Sequence, residues 1–248
     1  MGKELAFFKG EIIPVSTAKV GIMTHALHYG TAVFEGIRGN WNPEKNKMFV
    51  FRLKEHYERL IKGCKILNMD INYSVEELCD ITINLIKESG YKEDIYIRPL
   101  AYKSEEKVAN LKLHELESDF ALMIVPFGNY IDNEKPIRCQ TSSWRRPHDS
   151  MMPTGVKLSG LYTTSILAKT EATMAGFDEA ILLNFDGSVS EGSGENLFML
   201  RDGNLVTPSE TENCLLGITR DCVFAVSYTH LRAHETSLHL VCRLLLEK

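Results

Sequence analysis

The chain has 248 residues, 44% of them hydrophobic and 25% charged, and a formal net charge of −5; this is an ordinary globular balance with room for one large domain or two modest ones. The two signs are mixed along the chain without a basic run, which argues against nucleic acid and against an anionic membrane surface as partners. The longest apolar run, Phe120 to Phe127, contains Pro126 and falls far short of the ~20 residues a membrane span needs. The start of the chain lacks a signal peptide's basic, apolar and small-residue regions. Six cysteines are scattered without a CxxC pair, which reads as reduced thiols and a cytoplasmic address.

Leu5 to Val15 predicts a hairpin turning at Lys9-Gly10. Lys54 to Leu67 sets Leu60, Ile61, Cys64 and Leu67 at helical spacing. A second helix starts at Ser74, where Glu77 completes a capping box; Leu78, Ile81, Leu85 and Ile86 line one face and Gly90 ends it. Ile95 to Tyr102 and Phe120 to Val125 read as strands. The polar, turn-rich stretch 127–136 predicts a junction between an N-terminal domain (1–126) and a C-terminal domain (137–225). In the latter, strands at Ile137–Thr141, Ala180–Asn184, Asn196–Arg201 and Leu205–Pro208 surround a helix near Leu161–Ala175. Asp186-Gly187 and Asp202-Gly203 are hairpin signals. The mixture predicts a two-domain α/β or α+β architecture.

Lys157 is the only charged residue between Met151 and Ala168. Such surroundings disfavour the charged ammonium and leave an amine able to attack a carbonyl and form a Schiff base; a snorkelling lysine at a helix edge has the same local sequence. In Ser190-Glu191-Gly192-Ser193-Gly194-Glu195-Asn196, small residues around two carboxylates let backbone approach a ligand, though an acidic surface turn looks alike. Gly217-Ile218-Thr219-Arg220-Asp221 enters a helix-like run whose free N–H groups suit a phosphate, as many ordinary helix starts do. Tyr96 and Arg98, two apart on a strand, share a face and together suit a carboxylate; an edge-strand arginine in solvent fits equally. His25 and His28 have no partner at a ligand-like interval, so no metal is expected. His234-Glu235 and His239 are separated by one residue too many for a zinc helix motif.

The order of these pieces is far more specific than any one of them. HALHYGT with FEGIR, then HYERL, YIRP, SSW followed by K-x-SG-x-Y, SEGSGEN and GITRD resemble the ordered signature of the branched-chain amino-acid aminotransferases, in the fold-type-IV class of pyridoxal-phosphate enzymes. The resemblance covers about Leu5 to Val223. It implies that Lys157 is the catalytic lysine, bonded to the cofactor and shuttling a proton between substrate Cα and cofactor C4′. It implies Glu191 at the pyridine nitrogen, Tyr162 at the ring oxygen, and Arg59 with the backbone of Ile218 and Thr219 at the phosphate. Phe34, Phe127 and Tyr130 would wall the apolar side-chain pocket, with Tyr29 approaching from a neighbouring subunit. Tyr96 and Arg98 would receive substrate carboxylates. The implied protein is a homodimer or higher homo-oligomer acting on small amino acids and 2-oxo acids, with leucine, isoleucine and valine as donors and 2-oxoglutarate as acceptor.

Two features depart from the pattern. Leu161 stands where many relatives carry Asn, and from about Val226 the residues leave the pattern before a Gly-Thr-Ala-type loop is reached. Residues 226–248 are therefore read as a non-native tail and the second domain as incomplete. The tail is expected to stand apart as an isolated helix or loosely packed extension. Alternative readings are an inactive truncated relative, or a D-amino-acid aminotransferase or aminodeoxychorismate lyase of the same fold. The D-amino-acid pattern places histidine two residues after the strand arginine, where this chain has Leu100.

Overall fold

The structure, a computed structural model, describes residues 2–128 and 136–230, together with the short segments 233–235 and 244–246. The chain divides into two compact units, Met1–Asn133 with Lys157–Gly160, and Glu134–Val156 with Leu161–Lys248.

The first unit contains β1 (Leu5–Phe8), β2 (Glu11–Pro14), α1 (His25–Tyr29), β3 (Ala32–Phe34), β4 (Ile37–Asn42), β5 (Lys47–Val50), α2 (Leu53–Ile66), α3 (Val75–Ser89), β6 (Ile95–Lys103) and β7 (Ser118–Pro126). The sheet runs β2-β1-β7-β6-β4-β5, with β3 also on β6. The β1-β2 hairpin turns where expected: Lys9 and Gly10 both take positive φ, the geometry a two-residue hairpin needs. The reciprocal capping box of Ser74 and Glu77 starts α3, and Gly90 closes it in the left-handed region. Strands β6 and β7 form a nine-residue antiparallel ladder. Ile95, Ile97, Leu122 and Ile124 are completely buried along it, as are Tyr57, Leu60, Leu78 and Leu85 of α2 and α3. Because side chains alternate along a strand, burying Ile95 and Ile97 turns Tyr96 and Arg98 to the opposite face. Strands β3, β4 and β5 escape periodicity reading because they are short and hold Gly39, Asn40 and Asn42.

The second unit contains β8 (Cys139–Arg145), α4 (Tyr162–Met174), β9 (Glu179–Leu183), β10 (Val189–Gly192), β11 (Leu197–Arg201), β12 (Asn204–Thr207), α5 (Ile218–His230), β13 (Ala233–Glu235) and β14 (Leu244–Leu246). Strand β9 pairs parallel with β8 and antiparallel with β10. Ala168 and Ala172 bring α4 close onto Ala180 and Leu182. Ile181, Leu183, Val189, Leu197 and Val206 form a second cluster. Asp202 and Gly203, both at positive φ, turn β11 into β12.

Ser190, Glu191 and Gly192 form the buried end of β10, with a register shift between Val189 and Glu191; small residues permit such a bulge, and burial excludes the acidic surface turn. Of the tail, residues 226–230, 233–235 and 244–246 are described. Its first residues continue α5, β13 pairs with β12, and β14 pairs with β11. The β11-β12 hairpin has two open edges, and open edges accept any extended segment that reaches them. Among the described residues no helix is long and apolar enough to cross a membrane.

Candidate active site

In the first unit, the segment carrying Lys157 is held by main chain. Phe34 N–H donates to Lys157 carbonyl at 3.1 Å and Ser159 N–H donates to Ala32 carbonyl at 2.8 Å, so 157–160 lies along β3. Gly30, at φ +64°, and Gly160 make this approach possible: a Cβ on Gly30 would stand 2.9 Å from Gly160 Cα. Lys157 is half-buried, with Nζ 5.2 Å from the centre of the Phe34 ring. The Arg98 guanidinium lies 4.5 Å from the same ring and 5.0 Å from the Tyr96 ring. Both separations fall within cation–π range.

Arg98 Nη2 donates to Tyr96 Oη at 2.8 Å, and among the described residues Arg98 Nε is buried with no hydrogen-bond partner. Tyr96 in turn stacks near Phe127, ring centres 5.0 Å apart. Gly36 admits the phenol, since a Cβ there would meet Tyr96 Oη at 2.2 Å. Lys157, Phe34, Arg98, Tyr96 and Phe127 thus form one run of contacts: an amine, an apolar ring, and a guanidinium–phenol pair suited to an anion. Tyr29 is not part of this run. It is 42% exposed, and its hydroxyl accepts from Ala109 N–H at 2.9 Å. Tyr130 lies outside the described residues.

Arg59, on α2, is held by a group that sequence reasoning did not single out. Its Nε and Nη2 donate to the two oxygens of Glu35, both at 2.7 Å, and His56 Nδ1 lies 2.8 Å from Glu35 Oε2. Burial alone would raise the Glu35 carboxyl, but the hydrogen bonds and charges of Arg59 and His56 outweigh it and hold it below the usual range. A depressed folded value contributes stability above the ordinary carboxylate range, and that stability is lost as pH falls through the folded value. Glu35→Gln should therefore cost about 3 kcal/mol at neutral pH, because it removes the charge of a completely buried carboxylate that Arg59 and His56 both face. It should also flatten the acid limb of the stability profile; urea midpoints at pH 7 and pH 4 measure both. No signal in FEGIR marks Glu35 as the clamp, since its partner is 24 residues away.

In the second unit, Glu191 is buried at the end of β10. Its Oε1 lies 2.9 Å from Arg146 Nη2, and its Oε2 accepts Leu215 N–H at 2.8 Å. Arg146 is itself buried and its Nε donates to the Asn213 carbonyl at 3.0 Å. Sequence reasoning missed Arg146. Arg145 and Arg146 are adjacent, and only the end of β8 decides which one turns inward. Gly217 precedes α5, where Asp221 N–H donates to its carbonyl at 3.1 Å. Ile218 and Thr219 are the first helical residues, and helix geometry leaves first-turn N–H groups without an intrahelical acceptor. A Cβ on Gly217 would meet Asn196 Oδ1 at 2.1 Å, so a larger residue at this entry would displace the Asn196 amide, which donates to the Leu215 carbonyl. Tyr162 opens α4 and is half-buried.

The family described as amino-transferase class IV matches residues 32–241, a span that runs past Val226. A relative from Aquifex aeolicus, named "Probable branched-chain-amino-acid aminotransferase", is 48% identical over 223 residues, covering 90% of this chain and 71% of the relative. The crystal structure of a branched-chain aminotransferase from Thermoproteus uzoniensis with norvaline superposes with a TM-score of 0.91 at 41% identity, over 96% of this chain and 79% of that one. A branched-chain amino acid aminotransferase from Thermobaculum terrenum, crystallised in its PLP form, gives a TM-score of 0.89 at 33% identity, over 96% and 78%.

Proposed function

The chain belongs to the class IV aminotransferase family, and from that premise we propose that it transfers the amino group of leucine, isoleucine and valine to 2-oxoglutarate. The products are branched-chain 2-oxo acids and L-glutamate. The observation that carries this reading is the convergence of Lys157 and Arg98 on the Phe34 ring. It sets a reactive amine and a carboxylate-receiving cation around one apolar surface.

The residues fit pyridoxal 5′-phosphate. A half-buried lysine, a buried carboxylate and a glycine-gated helix start are the three groups its aldehyde, pyridine nitrogen and phosphate require. When bound, that cofactor supplies an electron sink for the substrate Cα–H bond. In this reading the Lys157 amine would take the Cα proton and return it to the cofactor side. Glu191, kept in place by Arg146 and Leu215 N–H, would hold a proton at the pyridine nitrogen. The Ile218 and Thr219 N–H groups, and Arg59, would hold the phosphate, and Tyr162 would serve the ring oxygen. Phe34, Phe127 and Tyr130 sort side chains by apolar contact.

Arg98 and Tyr96 receive carboxylate, and Arg98 serves the distal carboxylate of glutamate, so one site takes both an apolar and an acidic side chain. Arg98→Ala should lower kcat/KM for glutamate by about tenfold or more, the worth of a charged hydrogen bond, and leave leucine much less affected. Equal losses for the two substrates would remove Arg98 from that role.

A homodimer completes the reading, with Tyr29 offered to the partner. Ile22 and Leu27 near it are 76% and 60% exposed, an apolar surface suited to a second copy; light scattering on the eluted protein tests this. A reducing, cytoplasmic setting suits the chain's six scattered cysteines. The direct test is the visible spectrum of purified protein with pyridoxal 5′-phosphate, before and after leucine. The cofactor band should shift on mixing with protein and shift again with leucine, and an unchanged band at either step would defeat the assignment.

A further inference from the structure

The first histidine of the HALHYG segment is buried, and both of its ring nitrogens are engaged. His25, 1% exposed, sets Nε2 2.8 Å from the Asn110 carbonyl and Nδ1 2.8 Å from Thr31 Oγ1. A carbonyl only accepts, so Nε2 carries a proton and is the donor. His25 backbone N–H donates to the Glu105 carbonyl at 2.9 Å. One turn on, the Tyr29 ring lies against the His25 ring, centres 4.5 Å apart, and its hydroxyl accepts Ala109 N–H at 2.9 Å. Tyr29 and His25 thus hold Ala109–Asn110 at both ends, one at the N–H that enters the pair and the other at the carbonyl that leaves it. Ala109 is at φ +60°, in the left-handed region that a residue with a Cβ keeps only where its surroundings hold it. Residues 104–112 contain neither helix nor strand, and α1, with five residues, is too short to be stable as a helix alone. The contacts between the two segments supply what each lacks.

We propose that His25 is a positioning residue: its ring bolts α1 to the 105–110 segment and so fixes where Tyr29 points. The proposal rests on the reading of Tyr29 as a substrate-side residue offered to a second copy. Tyr29 is 42% exposed, and an exposed side chain on a single helical turn keeps its rotamer freedom unless something removes it. Here the ring is backed by His25 and the hydroxyl is occupied by Ala109 N–H. The side chain is therefore ordered before a substrate arrives, which lowers the ordering cost of binding. His25 itself touches neither substrate nor cofactor and acts through Tyr29. Its loss should weaken binding without slowing the chemical step, since a wall that binds ground and transition states alike acts on KM rather than on kcat.

Two measurements on the full chain test this: amide exchange of the 105–112 segment by mass spectrometry, and leucine kinetics with 2-oxoglutarate at saturating pyridoxal 5′-phosphate. In His25→Ala the exchange of this segment should speed up about tenfold or more, while β6 and β7 exchange as in the parent. KM for leucine should rise about fivefold, the scale of one neutral hydrogen bond, with kcat within about twofold. Rescue separates positioning from bulk. The amide nitrogen of Gln reaches where Nε2 stands and donates to the Asn110 carbonyl, whereas Asn reaches only where Nδ1 stands. His25→Gln should therefore return both readouts to within about twofold of the parent, and His25→Asn should not. The same comparison serves if His25→Ala does not fold. Parent-like exchange in His25→Ala, or equal behaviour of the Gln and Asn variants, overturns the latch. Faster exchange with an unchanged KM overturns the positioning role. Tyr29→Ala separates the underlying reading: if its KM for leucine matches the parent, or the parent itself does not turn over, the substrate role of Tyr29 falls while the exchange still decides the latch.

Discussion

Lys157→Ala should abolish transamination and leave the fold intact. What ties the segment 157–160 to β3 is main chain, through Phe34 N–H to the Lys157 carbonyl and Ser159 N–H to the Ala32 carbonyl; the side chain beyond Cβ takes no part in it. Truncation removes the contact between Nζ and the Phe34 ring, worth about 0.5–1 kcal/mol at a partly exposed site, so melting should move by only a few degrees. Chemistry is another matter. In the proposed role the amine would both anchor the reacting group and move the Cα proton, and general-base transfer alone contributes about 10²–10⁴-fold. A loss of at least about 10⁴-fold in kcat is expected, read in a coupled assay with leucine and 2-oxoglutarate alongside a circular-dichroism melt. A variant that melts like the parent and turns over within a hundredfold of it would sink the assignment of Lys157.

Glu191→Gln should still take up cofactor but lose about 10²–10³ in kcat, since each tenfold is about 1.4 kcal/mol of barrier and a neutral amide cannot hold a proton on the pyridine nitrogen. The structure adds a second consequence. One Glu191 oxygen faces Arg146 and the other accepts Leu215 N–H. A glutamine has one acceptor oxygen and one donor nitrogen, so either Arg146 or Leu215 N–H would face an NH2 group. The expected cost is about 1–3 kcal/mol of stability, seen as a lower urea midpoint. Rate measured at saturating cofactor separates the two effects. A Glu191→Gln protein as fast as the parent would take the pyridine role away from Glu191.

Much of the local architecture was legible in one dimension. The Ser74–Glu77 box and Gly90 bracketed α3 because capping is satisfied within four residues. Lys9-Gly10 and Asp202-Gly203 announced their hairpins because positive φ is a property of two adjacent residues. The alternation of Ile95, Tyr96, Ile97 and Arg98 already put the phenol and guanidinium on one face. Strands β3 to β5 were not legible, since they draw their stability from β6 and from each other rather than from their own periodicity. The pairing of Ala233–Glu235 and Leu244–Leu246 was not legible for a related reason: edge pairing depends on what lies beside a segment, not on its composition.

By itself, then, the sequence determined which chemistry-bearing residues the chain owns, their order, and the helices and turns whose signals are local. Tertiary structure alone decided what each of them faces. Glu35 became the clamp on Arg59, and Arg146 rather than Arg145 the partner of Glu191. These pairings span 24 and 45 residues. Over such separations hydrogen-bond geometry and burial are set by how strands and helices pack, and a carboxylate's role depends on which cation or acid the packing brings within about 3 Å.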